Sequence, residues 1–145
     1  ENRPQPVGMH ASEGVTFASA YRWSRDGETR AWREPLYQRA GASSTMYSVG
    51  VYSAVLHYLK AIEAAGTDDP KAVIAKMREL PVNDVLARNG RVREDGRMVH
   101  DMLLLRVKSP TQVQTKHDYY EIVDVIPGDE AFRPLEAGGC PYIQN

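Results

Sequence analysis

Apolar residues recur at helical spacing most clearly between Met46 and Ala65, where Val51, Val55, Leu59 and Ile62 share one face. Only Lys60 and Glu63 are charged there, so the pattern predicts a helix pressed against a sheet and flanked by neighbours. Gly66 ends it. Asp69-Pro70 then caps and opens another helix, with proline at its favoured first position. Val73, Met77 and Leu80 form that helix's stripe, and Pro81 stops it. Upstream, Ser24-Arg25-Asp26-Gly27 reads as a turn, with Asp26 as the N-cap of a helix over Thr29 to Ala40. Trp32, Leu36 and Tyr37 lie on one face of that helix and Gly41 suits its end. Pro35 should kink it or delay its start.

After Pro81 the pattern changes from helical spacing to strands and turns. Asn89-Gly90 and Asp95-Gly96 are turn signals bracketing a short run, Arg91 to Glu94. Met102 to Val107 and Tyr119 to Ile126 are strand candidates, joined by a polar loop, Pro110 to Asp118. Pro127-Gly128 stops the second strand, and the tail to Asn145 reads as irregular. At the other end, residues 1–7 read as an extended lead-in and Gly8 to Val15 as a weak short strand. Helices therefore dominate the first half and strands the second. Too few strands precede the helices to give them a sheet to cover, so a partner sheet is expected from sequence upstream of Glu1 or from another chain.

Composition narrows the function classes. The chain has 145 residues, 42% hydrophobic and 26% charged, as in one soluble globular domain. Its net charge of −1 comes without a basic stripe, which speaks against a nucleic-acid binder. The longest apolar run, Met102 to Leu105, falls far short of a membrane span. The chain starts at Glu1 and carries no readable signal peptide, so a leader is expected to have been removed or the chain to be part of something longer. The lone Cys140 excludes an internal disulfide; a partner elsewhere and a single free thiol both remain open.

Catalytic constellations are absent from the pattern. His57 has no acidic residue or cysteine at metal-ligand spacing. His100 and Asp101 are strand neighbours that point to opposite faces, which disfavours a dyad. No Gly-x-Ser-x-Gly elbow, phosphate loop or calcium loop occurs. Neither a catalytic residue nor a metal site is assigned. Aromatic residues offer another thread: Tyr21 and Trp23 lie between a possible strand and a helix, and Met46 and Tyr47 open the apolar helix. Such junctions line ligand clefts in open α/β sheets, and helix N-termini offer free N–H groups to carboxylates.

Four stretches carry a resemblance. "WSRDGETRAW" (Trp23 to Trp32), "GVYSAVLHYLKAIEAAGTDDPKAVIAKMRELPVND" (Gly50 to Asp84), "NGRVREDGRMVHDMLLLRVKSP" (Asn89 to Pro110) and "IPGDEAFRPLEAGGCP" (Ile126 to Pro141) follow in order. Together they resemble the C-terminal portion of the periplasmic substrate-binding proteins of the branched-chain amino acid ABC transporter type, the type I periplasmic binding proteins. Gly27, Pro35 and Ser24 depart from that pattern. The resemblance implies an α/β fold of two three-layer lobes joined by crossover strands, of which this chain holds an incomplete part. Residues 1–7 would be a lead-in, 8–99 the C-terminal segment of the first lobe, and 100–145 the crossover, the final strands of the second lobe and the tail.

The same resemblance implies a periplasmic, non-enzymatic receptor. It would capture a small carboxylate, such as an amino acid or aromatic acid, and deliver it to an ABC permease. Binding needs no cofactor or metal. The missing N-terminal portion of the receptor, or a second copy of the chain, would be a further partner. A ligand-sensing regulatory domain of the same fold is the alternative. Tyr21, Trp23, Met46 and Tyr47 are the candidate ligand-binding residues. His10, His100 and Asp101 are candidate hinge residues.

Overall fold

The structure, a computed structural model, describes residues 8–115, 117–141 and 143. Its elements in chain order are α1 (Met9–Ser12), β1 (Thr16–Ser19), α2 (Gly27–Ala40), α3 (Met46–Ala65) and α4 (Pro70–Glu79). β2 (Arg91–Val92), β3 (Met98–Val99), β4 (Met102–Val107), β5 (Tyr120–Ile126) and α5 (Gly128–Ala131) follow. Single 3-10 turns occupy Pro110–Gln112 and Glu136–Gly138.

Local chemistry explains where the helices begin. The Asp26 carboxylate accepts the Thr29 N–H at 2.8 Å, while the Asp26 N–H donates to Thr29 Oγ1 at 3.0 Å. This reciprocal box satisfies donors that the first turn would otherwise leave open. The helix accordingly starts at Gly27, with no delay from Pro35, which lies inside it. Gly41 ends it at φ 63°, a left-handed conformation that glycine adopts without a Cβ clash. Asp69 caps α4 through the Ala72 N–H at 3.0 Å, with Pro70 at the first helical position.

Three expectations are corrected. Residues 9–12 of the supposed Gly8 to Val15 strand are helical, and the strand comes later, as β1. The polar run around Glu13-Gly14 leaves no alternation to hold a strand before Val15. On α2 the buried positions are Thr29 and Arg33, while Leu36 is exposed. Arg33 faces inward because its guanidinium stacks on Trp23 and Tyr37, each 4.4 Å from the ring centroid. Finally, the tail is partly regular, with α5 and the 3-10 turn.

The strands form a three-stranded antiparallel sheet in the order β1-β4-β5 and a two-stranded hairpin, β2-β3. β1 lies along β4 with Phe17 opposite Leu105 and Ser19 opposite Leu103. β5 lies on the other side of β4, with an irregular step between Leu104 and Leu105. The chain divides into two compact units. The first joins the described residues through Ser48 to Met102–Ile126; the second joins Val49–Asp101 to the described residues from Pro127 on. This division differs from the expected segments 8–99 and 100–145. The pairing of β1 with β4 ties the start of the chain to residues 102–126. The Gly128 N–H, donated to the Asp101 carboxylate at 3.0 Å, ties the tail back to the second unit. The chain passes between the units after Ser48, Asp101 and Ile126.

In the first unit Leu103, Leu105, Val107 and Tyr120 cluster as a core, with Tyr119 packed against them. The second unit buries Val49, Ala61, Val73, Val82, Val85, Leu86, Ala87 and Val99. On α3 the buried stripe is Val49, Ser53, His57 and Ala61. Val51, Val55 and Leu59 are 66%, 52% and 54% exposed. The most apolar face of the most apolar helix thus stands open in this chain.

Candidate functional site

The described site of most interest is an open notch of about 220 Å³, built within the first unit. Its floor comes from the sheet: Phe17, Ala18 and Ser19 of β1, Leu105 of β4 and Tyr120 of β5. Its rim comes from Thr45, Met46 and Tyr47, where α3 begins. Antiparallel register puts Phe17 opposite Leu105, so side chains distant in sequence share one face. Phe17 and Tyr120 meet edge to face, with ring centroids 5.0 Å apart.

The rim is fixed by hydroxyl chemistry. The Thr45 N–H donates to Ser48 Oγ at 2.9 Å and the Ser48 N–H returns to Thr45 Oγ1 at 3.2 Å. This pair holds the first turn of α3 and thereby Met46 and Tyr47. At the end of β1 the Ser19 hydroxyl donates to the Tyr21 carbonyl at 2.9 Å and lies 3.7 Å from the Met46 sulfur. The lining is therefore aromatic and aliphatic, with hydroxyls at Ser19 and Thr45. Such a surface suits an apolar or ring-bearing group on a small ligand, oriented by a few polar contacts.

The sequence candidates divide. Met46 and Tyr47 are brought together on the notch, and Tyr47 is 74% exposed. Tyr21 is 1% exposed, its hydroxyl 3.1 Å from Ser44 Oγ and its ring edge-on to Trp32. Trp23 donates its indole N–H to the His117 carbonyl at 3.1 Å and takes the guanidinium groups of Arg22 and Arg33 over its ring. Neither Tyr21 nor Trp23 lines the notch. Among the hinge candidates, His100 and Asp101 are the last residues before the chain passes into the first unit, whereas His10 sits in α1. His100 Nδ1 donates to the Asp101 carbonyl at 2.7 Å, and its ring meets Phe132 edge to face. The Asp101 carboxylate is engaged by the Gly128 N–H, so the two side chains form no dyad.

Sequence reasoning missed Phe17, Ser19, Leu105 and Tyr120. Alternation along β1 and β4 offered a signal for which residues face the same way. Only the pairing shows which of them meet. His57 packs inward, its Nε2 2.8 Å from the Met77 carbonyl, a structural contact between α3 and α4. Among the described residues, no three His, Cys, Asp or Glu side chains gather as a metal site. No described helix is long and apolar enough to cross a membrane. Cys140 is a free, half-buried thiol.

The chain thus mixes helices and strands and carries an aromatic notch at a strand–helix junction. The family model for periplasmic binding proteins matches residues 1–112. The chain belongs to the periplasmic binding protein family. A periplasmic binding protein from Burkholderia mallei is 32% identical, with a TM-score of 0.90 over 96% of this chain and 37% of its own. A branched-chain amino acid ABC transporter periplasmic ligand-binding protein from Burkholderia xenovorans is 36% identical, with a TM-score of 0.89 over 95% of this chain and 37% of its own. A leucine-binding protein from Thermotoga maritima, 20% identical, shares the fold with a TM-score of 0.66 over 86% of this chain and 34% of its own. No curated protein matches. The chain spans little more than a third of the length of these solved relatives and carries part of the type I periplasmic binding protein fold.

Proposed function

We propose that the chain is the C-terminal portion of an exported, periplasmic solute receptor that captures a small carboxylate and hands it to an ABC permease. Family membership and the Burkholderia relatives support the receptor class. The observation that carries the ligand class is the notch. Phe17, Leu105, Met46, Tyr47 and Tyr120 give it an apolar, aromatic lining, and Ser19 and Thr45 add hydroxyls. A lining of that kind favours an aromatic acid or a large apolar amino acid over a small polar one. The rest of the receptor's chain, outside these 145 residues, supplies the β-structure that the open face of α3 lacks and further ligand contacts. Capture and release require no chemistry at the notch, in keeping with solute-binding relatives.

The test is calorimetric titration of the intact receptor with benzoate, 4-hydroxybenzoate, L-phenylalanine, L-leucine and glycine. At least one ring-bearing or branched acid should bind, and glycine should bind far more weakly or not at all. Tyr47→Ala and Met46→Ala should each weaken the tightest acid about tenfold, the scale of a lost aromatic or thioether contact. Binding of none of these acids by a folded receptor would overturn the proposal.

A further inference from the structure

Arg22 is fully buried at 0% exposure and bonds to Tyr120, a residue that lines the notch. Its Nη2 donates to Asp118 Oδ1 at 2.9 Å and to the Tyr120 carbonyl at 3.1 Å, and its Nη1 donates to the His117 carbonyl at 3.3 Å. A charge taken out of water costs free energy unless it is paired and hydrogen-bonded, so a buried arginine with these partners marks a fixed point. The partners lie 95 to 98 residues away in sequence and within four residues of one another. The planar guanidinium therefore clamps residues 117–120 as a unit, which a lysine's point charge would not do. His117 needs such a clamp: its φ is 74°, a left-handed conformation that non-glycine residues rarely adopt. The Trp23 indole donates to the same His117 carbonyl, and Lys108 Nζ donates to the other Asp118 oxygen at 2.6 Å. The Arg22 guanidinium also stands 5.7 Å from the centroid of the Tyr120 ring, which Phe17 meets edge-on.

We propose that Arg22 is a positioning residue for the solute site. By holding the His117 and Tyr120 carbonyls and the Asp118 carboxylate, it fixes the Tyr120 ring as a wall of the notch. Ligand affinity then depends on a side chain that lines no part of the notch. The proposal rests on reading the notch as part of the solute site.

The test uses the intact receptor labelled with 3-fluorotyrosine, with the Tyr120 and Tyr47 resonances assigned by their loss in Tyr120→Phe and Tyr47→Phe. In Arg22→Met, well below its melting temperature, the Tyr120 fluorine resonance should shift or broaden while that of Tyr47 stays in place. Affinity for the tightest acid of the panel should fall about tenfold or more, and Arg22→Lys should recover part of both effects. If Arg22→Met does not fold, Asp118→Asn, which leaves the two carbonyl acceptors in place, should shift or broaden the same resonance with that of Tyr47 unmoved. An unmoved Tyr120 resonance in either folded variant overturns the proposal, as does a moved resonance with unchanged affinity. If the unsubstituted receptor binds none of the acids, the solute-site reading fails. The fluorine resonance still decides whether Arg22 sets the ring.

Discussion

The Asp26 carboxylate accepts the Thr29 N–H and meets Arg25 Nε at 3.0 Å. Burial alone would raise its pKa, but the Thr29 bond and Arg25 outweigh that and hold it below its ordinary value of 3.8. The Asp95 carboxyl is likewise held low, chiefly by its bond to Arg93, at the turn between β2 and β3. In both cases the unfolded chain takes up a proton at a higher pH than the folded one. Their stabilisation is therefore complete above the ordinary carboxylate value and fades as pH falls through the lowered folded values. Urea midpoints between about pH 6 and about pH 3 should fall less in Asp26→Asn than in the unsubstituted receptor. At neutral pH, Asp26→Ala should cost about 1 kcal/mol through loss of the cap, measured by the same denaturation. Gly128 poses a different constraint: a Cβ there would sit 3.0 Å from the His100 carbonyl carbon and oxygen. Gly128→Ala should thus destabilise by about 1–3 kcal/mol, through backbone displacement beside His100, with a matching drop in melting temperature.

α3 carries the clearest lesson among the elements. Its span was legible because Val51, Val55, Leu59 and Ile62 repeat at 3.6-residue spacing and Gly66 stops the run. Which stripe this chain buries was not legible. The covered positions are Val49, Ser53, His57 and Ala61, and among them His57 reaches the Met77 carbonyl of α4. The valine and leucine stripe stays exposed, consistent with a helix shaped to lie on β-structure from elsewhere in the receptor. Leu59→Asp should therefore cost the intact receptor about 3 kcal/mol or more, since it places a charge in an apolar contact. An unchanged denaturation midpoint would show that this face meets water in the whole protein. β5 was legible from its aromatic and β-branched residues and β4 from its apolar run, Met102 to Leu105, but the irregular step at Leu104/Leu105 left no sequence signal.

For the whole molecule, the sequence resemblance and the structural likeness agree on family and on partial coverage. A bound solute stabilises the form that holds it, by about 2.7 kcal/mol at a ligand concentration one hundred times Kd. The intact receptor should thus melt several degrees higher with an aromatic or branched acid, as read by differential scanning calorimetry.

The sequence by itself determined the helices opening at Asp26, Met46 and Asp69, the strands β4 and β5, and the family. Those features rest on local capping, on periodicity and on motifs, all of which are written within a few residues. Tertiary structure alone decided that β1 pairs with β4, that Arg22 clamps residues 117–120, and that Phe17 and Tyr120 face Met46 and Tyr47 across one notch. Each of these joins groups dozens of residues apart, and no local preference encodes such a meeting: it follows from how strands register and what each buried side chain finds to bond.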